Sequence, residues 1–248
     1  MPLLTDTFII DVDRFTWICG PEDDPEDLCL HGHVTVQIGK TVMEYDGTVS
    51  ATALYLLKTL TNDKIMSEYD IQMVPCCGHF LIANQDLSEV AISGCDDGLD
   101  WSTEHEGDGV RLTLPSGESQ WVDFYSYRYQ VLQFVEKVEG YYRSCQPKKI
   151  PDDEFERNGY LAFWNEWHQR YMEATLQDAL QTGREIEFGY NNQDYFISRT
   201  QEEEWYLYCQ QTEEQQKFKT AEELFNHAKF GEELLKNQLT RIQIQYIL

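Results

Sequence analysis

Basic side chains are scarce in this 248-residue chain. It carries 19 Lys and Arg against 44 Asp and Glu, a formal net charge of −25 and a pI near 4.4. Phosphate backbones and anionic membrane surfaces both demand basic patches, so neither nucleic acid nor a lipid surface is an expected partner. Lys148-Lys149 is the only adjacent basic pair. No apolar run approaches the roughly 18 residues of a membrane-spanning helix. The stretch from Met1 to Asp13 lacks the basic and long apolar regions of a secretory signal, which predicts a cytoplasmic location. Seven cysteines, an odd number at irregular spacing, argue for reduced thiols rather than a disulfide framework. The sequence contains no P-loop, no G-x-G-x-x-G and no G-x-S-x-G elbow, which leaves nucleotide chemistry and serine-hydrolase chemistry without support. No internal repeat is visible.

What is present is enough apolar material for a core: 42% of the residues are hydrophobic and 13% of the chain is aromatic. The acidity is uneven. Residues 1–140 hold 25 acidic and 7 basic groups, a net of −18, and residues 141–248 hold 19 and 12, a net of −7. In the first half, short β-prone runs (Phe8–Ile10, Phe15–Ile18, the alternating His33–Ile38, Thr41–Tyr45, His79–Ala83, Glu89–Ser93, Val110–Leu114, Gln120–Tyr125) surround two helical patterns. One helix is capped by Thr48 or Ser50 and carries Leu54 and Leu57. The other has Tyr127, Val131, Phe134, Val135, Val138 and Tyr142 on one stripe. Ser144–Asn158, with Pro147 and Pro151, reads as a linker, followed by an aromatic helix face of Tyr160, Phe163, Trp164, Trp167 and Tyr171. In the tail, Glu185–Tyr190, Asp194–Arg199, Trp205–Gln210 and Gln216–Phe218 read as strands. Thr220 and Glu223 form a capping box, Glu232–Leu239 is helical, and the chain ends in a strand from Ile242. The expected fold class is α+β, mainly antiparallel sheet with packed helices. The expected organisation is an acidic domain over 1–145, a linker and aromatic helix over 146–175, and a small α+β module over 176–248.

Three clusters could carry chemistry. Cys29, His31 and His33, and separately Cys76, Cys77 and His79, are types that ligate zinc. Neither spacing matches a zinc ribbon or knuckle, so hydrogen-bonded histidines and reduced thiols are expected instead, with no metal and no cofactor. Asp96, Asp97 and Asp100 surround Gly98 but lack the longer oxygen alternation of a calcium loop. Nothing in the sequence lowers a thiol pKa, and the negative field is expected to raise it.

The run Cys77–Ile82, then Ile92–Cys95, Gly98–Trp101 and His105, together with Phe134–Tyr142, Pro147–Lys149, Gly159-Tyr160, Phe163-Trp164 and Glu166–His168, resembles a group of bacterial proteins, mainly from Firmicutes, similar to immunity-type partners of polymorphic toxin systems. The resemblance implies an α+β, non-enzymatic, cytosolic binding protein and carries no catalytic residues. Joined to the charge, it leads to the expectation of an immunity or antitoxin-like protein that neutralises a basic protein partner such as a nuclease toxin. The expected contact residues are the acidic loop Asp23, Asp24, Glu26 and Asp27, and the turn Asp96, Asp97 and Asp100 with Trp101 as aromatic anchor. A metal- or carboxylate-dependent hydrolase and a regulatory interaction module are the alternatives.

Overall fold

A computed structural model describes residues 7–67, 71–78, 80–200 and 204–248. It has four α-helices and mostly antiparallel sheets, an α+β fold. The chain divides into two compact units, one ending at Trp167 and the other beginning at His168.

In the first unit, β1 (Phe8–Trp17), β2 (Leu30–Ile38) and β3 (Thr41–Thr48) form an antiparallel sheet in the order β1-β2-β3. The two β-prone runs at Phe8 and Phe15 are one strand. Its register with β2 shifts between Asp13 and Thr16, and Arg14 sits at φ 51° in that irregularity. Period-two alternation buries Phe8, Ile10 and Val12 with Val34, Val36 and Ile38 on one face. Helix α1 (Val49–Lys58) follows directly. Val49, Ala51, Ala53, Leu54, Leu56 and Leu57 are all buried, so this helix is enclosed rather than amphipathic. Thr48 occupies its N-cap but makes no side-chain cap bond.

Seven short strands, a longer helix and the first part of a second, which continues beyond Trp167, complete the unit. These are β4 (Val74–Pro75), β5 (Phe80–Ala83), β6 (Val90–Ser93), β7 (Gly98–Leu99), β8 (Ser102–Glu106), β9 (Gly109–Thr113), β10 (Ser119–Asp123), α2 (Phe124–Ser144) and α3 (Glu154–Thr182). Strands β5 and β6 form a hairpin, β4 pairs with β7, and β10-β9-β8 form a third sheet. Asp123 caps α2 by accepting from the Ser126 N–H at 2.9 Å. The predicted stripe from Tyr127 to Val138 is buried. Helix α3 enters through a close approach. A Cβ on Gly159 would lie 2.3 Å from the Leu81 carbonyl oxygen, so only glycine lets the helix meet β5. Buried Glu166 then fixes it, accepting the Val90 N–H at 2.9 Å and pairing with Lys58 Nζ at 3.0 Å.

In the second unit, β11 (Ile186–Tyr190), β12 (Gln193–Arg199), β13 (Trp205–Cys209), β14 (Gln215–Phe218) and β17 (Gln243–Ile247) form a five-stranded antiparallel sheet in the order β14-β13-β12-β11-β17. Its core includes Ile186, Phe188, Ile197, Leu207 and Leu224. Thr220 caps α4 (Ala221–His227) by accepting from the Glu223 N–H at 3.0 Å, as the capping box predicts. The helix expected over Glu232–Leu239 is not formed. The small strands β15 (Lys229–Phe230) and β16 (Glu233–Leu234) pair there, and two 3₁₀ turns, Leu235–Asn237 and Leu239–Arg241, follow. Burial of Leu235 and Leu239 in the core sets that path over local helix propensity. Among the described residues, no helix is long and apolar enough to cross a membrane.

Candidate functional site

The Pro21–Asp27 loop is folded onto the segment that follows α2. Asp23 accepts the Gln146 backbone N–H and pairs with Lys148 Nζ at 2.8 Å. Lys148 also donates to the Asp24 carbonyl at 2.8 Å and lies over the Trp17 ring, 3.2 Å from its centroid. Lys149 donates its backbone N–H to the Pro25 carbonyl at 2.8 Å and pairs with Glu26 at 3.0 Å. The Gln146 N–H first, and then Lys148, hold the Asp23 carboxyl below its ordinary value. Residues 146–149, expected within a linker, are therefore a clamp. Asp27 is buried, and its carboxylate accepts the N–H groups of Cys19 at 3.0 Å and Cys29 at 3.1 Å. Both of its carboxylate oxygens are taken up by the loop's own backbone, so it organises the loop rather than offering a free charge, in contrast to its expected role.

Beside this loop lies a cleft of about 720 Å³. Its apolar lining comes from Ile18 and Leu28, from Phe80 and Leu81 of β5, and from Phe155, Tyr160, Phe163 and Trp164 of α3. Phe80, Phe155 and Ile18 remain about half exposed, and the first two rings meet at 5.3 Å. Asp24, Glu26, Asp27, Asp153 and Glu156 also line it, and no Lys or Arg does among the described residues. The Asp24 carboxylate accepts the Glu26 N–H at 2.9 Å, and Asp153 accepts the Glu156 N–H at 3.1 Å. Neither these two carboxylates nor Glu156 has a cationic partner among the described residues. Cys29 also lines the cleft, where burial pushes its thiol up to about 12.

The second expected site does not assemble. Trp101 is fully buried beside Phe8, with ring centroids 6.4 Å apart, so it cannot serve as an exposed anchor. Asp100 pairs with Lys64 at 2.6 Å and accepts the Met73 N–H at 3.0 Å, which makes it a tie between segments. Asp96 and Asp97 are exposed, but none of the four lines the cleft. Phe163 and Trp167 of the aromatic helix are buried within the first unit, and Trp164 packs edge-on against Tyr142 at 5.1 Å.

The suggested metal ligands do not converge. His33 bonds Asp46 at 2.8 Å, His31 faces Thr48 at 3.2 Å, and Cys29 is buried. His79 lies outside the described residues. Among the described residues, no group of three or more His, Cys, Asp or Glu could hold a metal ion.

The sequence reading missed Asp153 and Glu156, which sit at the start of α3, and the apolar floor they border. The Phe155 ring between them, in a segment expected to be linker, was the available signal. It also missed an acidic outer face on the first sheet, where exposed Asp13, Glu44 and Asp46 surround His33. No protein-family model matches this chain, and no curated protein or solved structure does either.

Proposed function

We propose that this is a non-enzymatic acidic binding protein of immunity or antitoxin type, which neutralises a basic protein partner such as a nuclease toxin, and that the cleft beside the Pro21–Asp27 loop is its principal contact. The observation that carries this reading is the pairing of half-exposed aromatic rings with three carboxylates, those of Asp24, Asp153 and Glu156, that have no cationic partner among the described residues. An exposed apolar floor favours burial against a partner, and aromatic side chains dominate contact energies. The carboxylate rim selects a cationic segment and raises its encounter rate by about 10–10³-fold. The volume accommodates a few side chains of such a segment, with Asp24, Asp153 and Glu156 meeting its charges.

The test is stopped-flow association of the full chain with the purified basic product of the adjacent gene, over a range of salt. Association is expected to slow as salt rises. The triple variant Asp24→Asn, Asp153→Asn, Glu156→Gln is expected to slow it by about tenfold at low salt, in line with loss of steering. A salt-independent rate, unchanged in the variant, overturns the reading.

A further inference from the structure

Three thiols that do not line the cleft gather at the open end of the β5–β6 hairpin. Cys76 and Cys77 precede β5 and Cys95 follows β6. The Cys95 backbone N–H donates to Cys77 Sγ at 3.0 Å. The main chains touch here as well: a Cβ on Gly94 would lie 2.0 Å from the Cys77 carbonyl oxygen. The pairing of Phe80 with Ser93 holds the base of the hairpin in register just beyond this contact. Cys95 is exposed and Cys77 half-buried. We propose that Cys95 and Cys77 are a peroxide-oxidisable thiol pair that closes to an intramolecular disulfide.

The roles follow from the surroundings. Hydrogen bonds from the Cys77 thiol, the Asp97 backbone N–H and the Cys76 thiol hold the Cys95 thiol below its ordinary value. Burial pushes the Cys77 thiol up. Cys95 is thus the attacking group and Cys77 the resolving one. The Cys95 thiolate attacks one oxygen of a hydroperoxide. An S–O bond forms, the O–O bond breaks, and the departing oxygen leaves as water or an alcohol after taking a proton. Cys77 sulfur, losing its proton, then attacks the sulfenic sulfur. The S–S bond forms, the S–O bond breaks, and hydroxide leaves with that proton as water. Two electrons pass from the two thiols to the peroxide. The cross-link staples the ends of the hairpin that supplies Phe80 and Leu81 to the cleft.

The test treats the reduced full chain with hydrogen peroxide and maps its peptides without reduction. The expected product has lost two hydrogens, links the Cys77 and Cys95 peptides, and reverts with dithiothreitol. The link is expected to persist in Cys76→Ser and to vanish in Cys77→Ser. Cys95 is expected to react several-fold faster than Cys19, the other exposed thiol. A link through Cys76, a Cys95 that runs on to sulfinic acid while Cys77 stays a thiol, or a Cys95 no faster than Cys19 overturns the proposal.

Discussion

The two acidic segments of the first half, Pro21–Asp27 and Asp96–Trp101, look alike in sequence and do different things in the fold. In the first, Lys148 and Lys149 arrive from more than a hundred residues away and neutralise Asp23 and Glu26, yet Asp24 is left facing a cleft. In the second, the carboxylate nearest the aromatic ring turns inward to Lys64, and the ring is lost to the core. A run of acidic residues in a sequence therefore states only how much charge there is. Which part of it is free depends on where the few lysines are spent, and this chain has few.

The contrast can be broken in five places. The largest effect is expected from Trp101→Ala, which should cost about 3–5 kcal/mol of stability by opening a cavity in the core. Denaturant unfolding checks this, and an unchanged midpoint would restore Trp101 as a surface anchor. Asp100→Ala strands the mostly buried Lys64 ammonium and the Met73 N–H and should cost about 2–3 kcal/mol by the same measurement. Lys148→Met removes one ion pair and one cation–π contact. A loss of about 1–2 kcal/mol is expected, with faster proteolytic nicking of the Pro21–Asp27 loop.

The fourth place is pH. Because the folded chain holds Asp23 below its ordinary value, its contribution is complete above the unfolded carboxylate range and is lost as pH falls through the folded value. The stability gap between wild type and Asp23→Asn should therefore be widest near neutral pH and close on acidification, read from urea midpoints across a pH series. The smallest effect belongs to the double variant Asp96→Asn, Asp97→Asn. It should shift stability by no more than about 0.5 kcal/mol and leave partner association where the cleft variant does not.

Most elements were legible because their signals are local. Strand β2 declares itself by alternation from His33 to Ile38, α2 by its stripe from Tyr127 to Val138, and α4 by Thr220 and Glu223. The missed pieces depend on the partners they pair or pack with rather than on their own composition. Strand β8, with the sequence Ser-Thr-Glu-His-Glu, has no β-prone look and exists because β9 pairs with it along its whole length. The Glu232–Leu239 stretch has helical composition, but two of its leucines are claimed by the core. The cleft was half visible. Its acidic loop stood out, while its floor is assembled from β5 and α3, segments far apart in the chain that meet only because Gly159 has no side chain.

Helix α1 has a consequence for how the molecule opens. Ten residues are too few to hold a helix in water, and this one has no side-chain bond at its N-cap. Its geometry is therefore maintained entirely by what surrounds it. No fluctuation that leaves the rest of the first unit intact can expose its backbone, so its amide protons should exchange with solvent only when the whole unit unravels. Those amides would serve as a clock for global opening, with exchange rates that track the unfolding equilibrium of the first unit one for one.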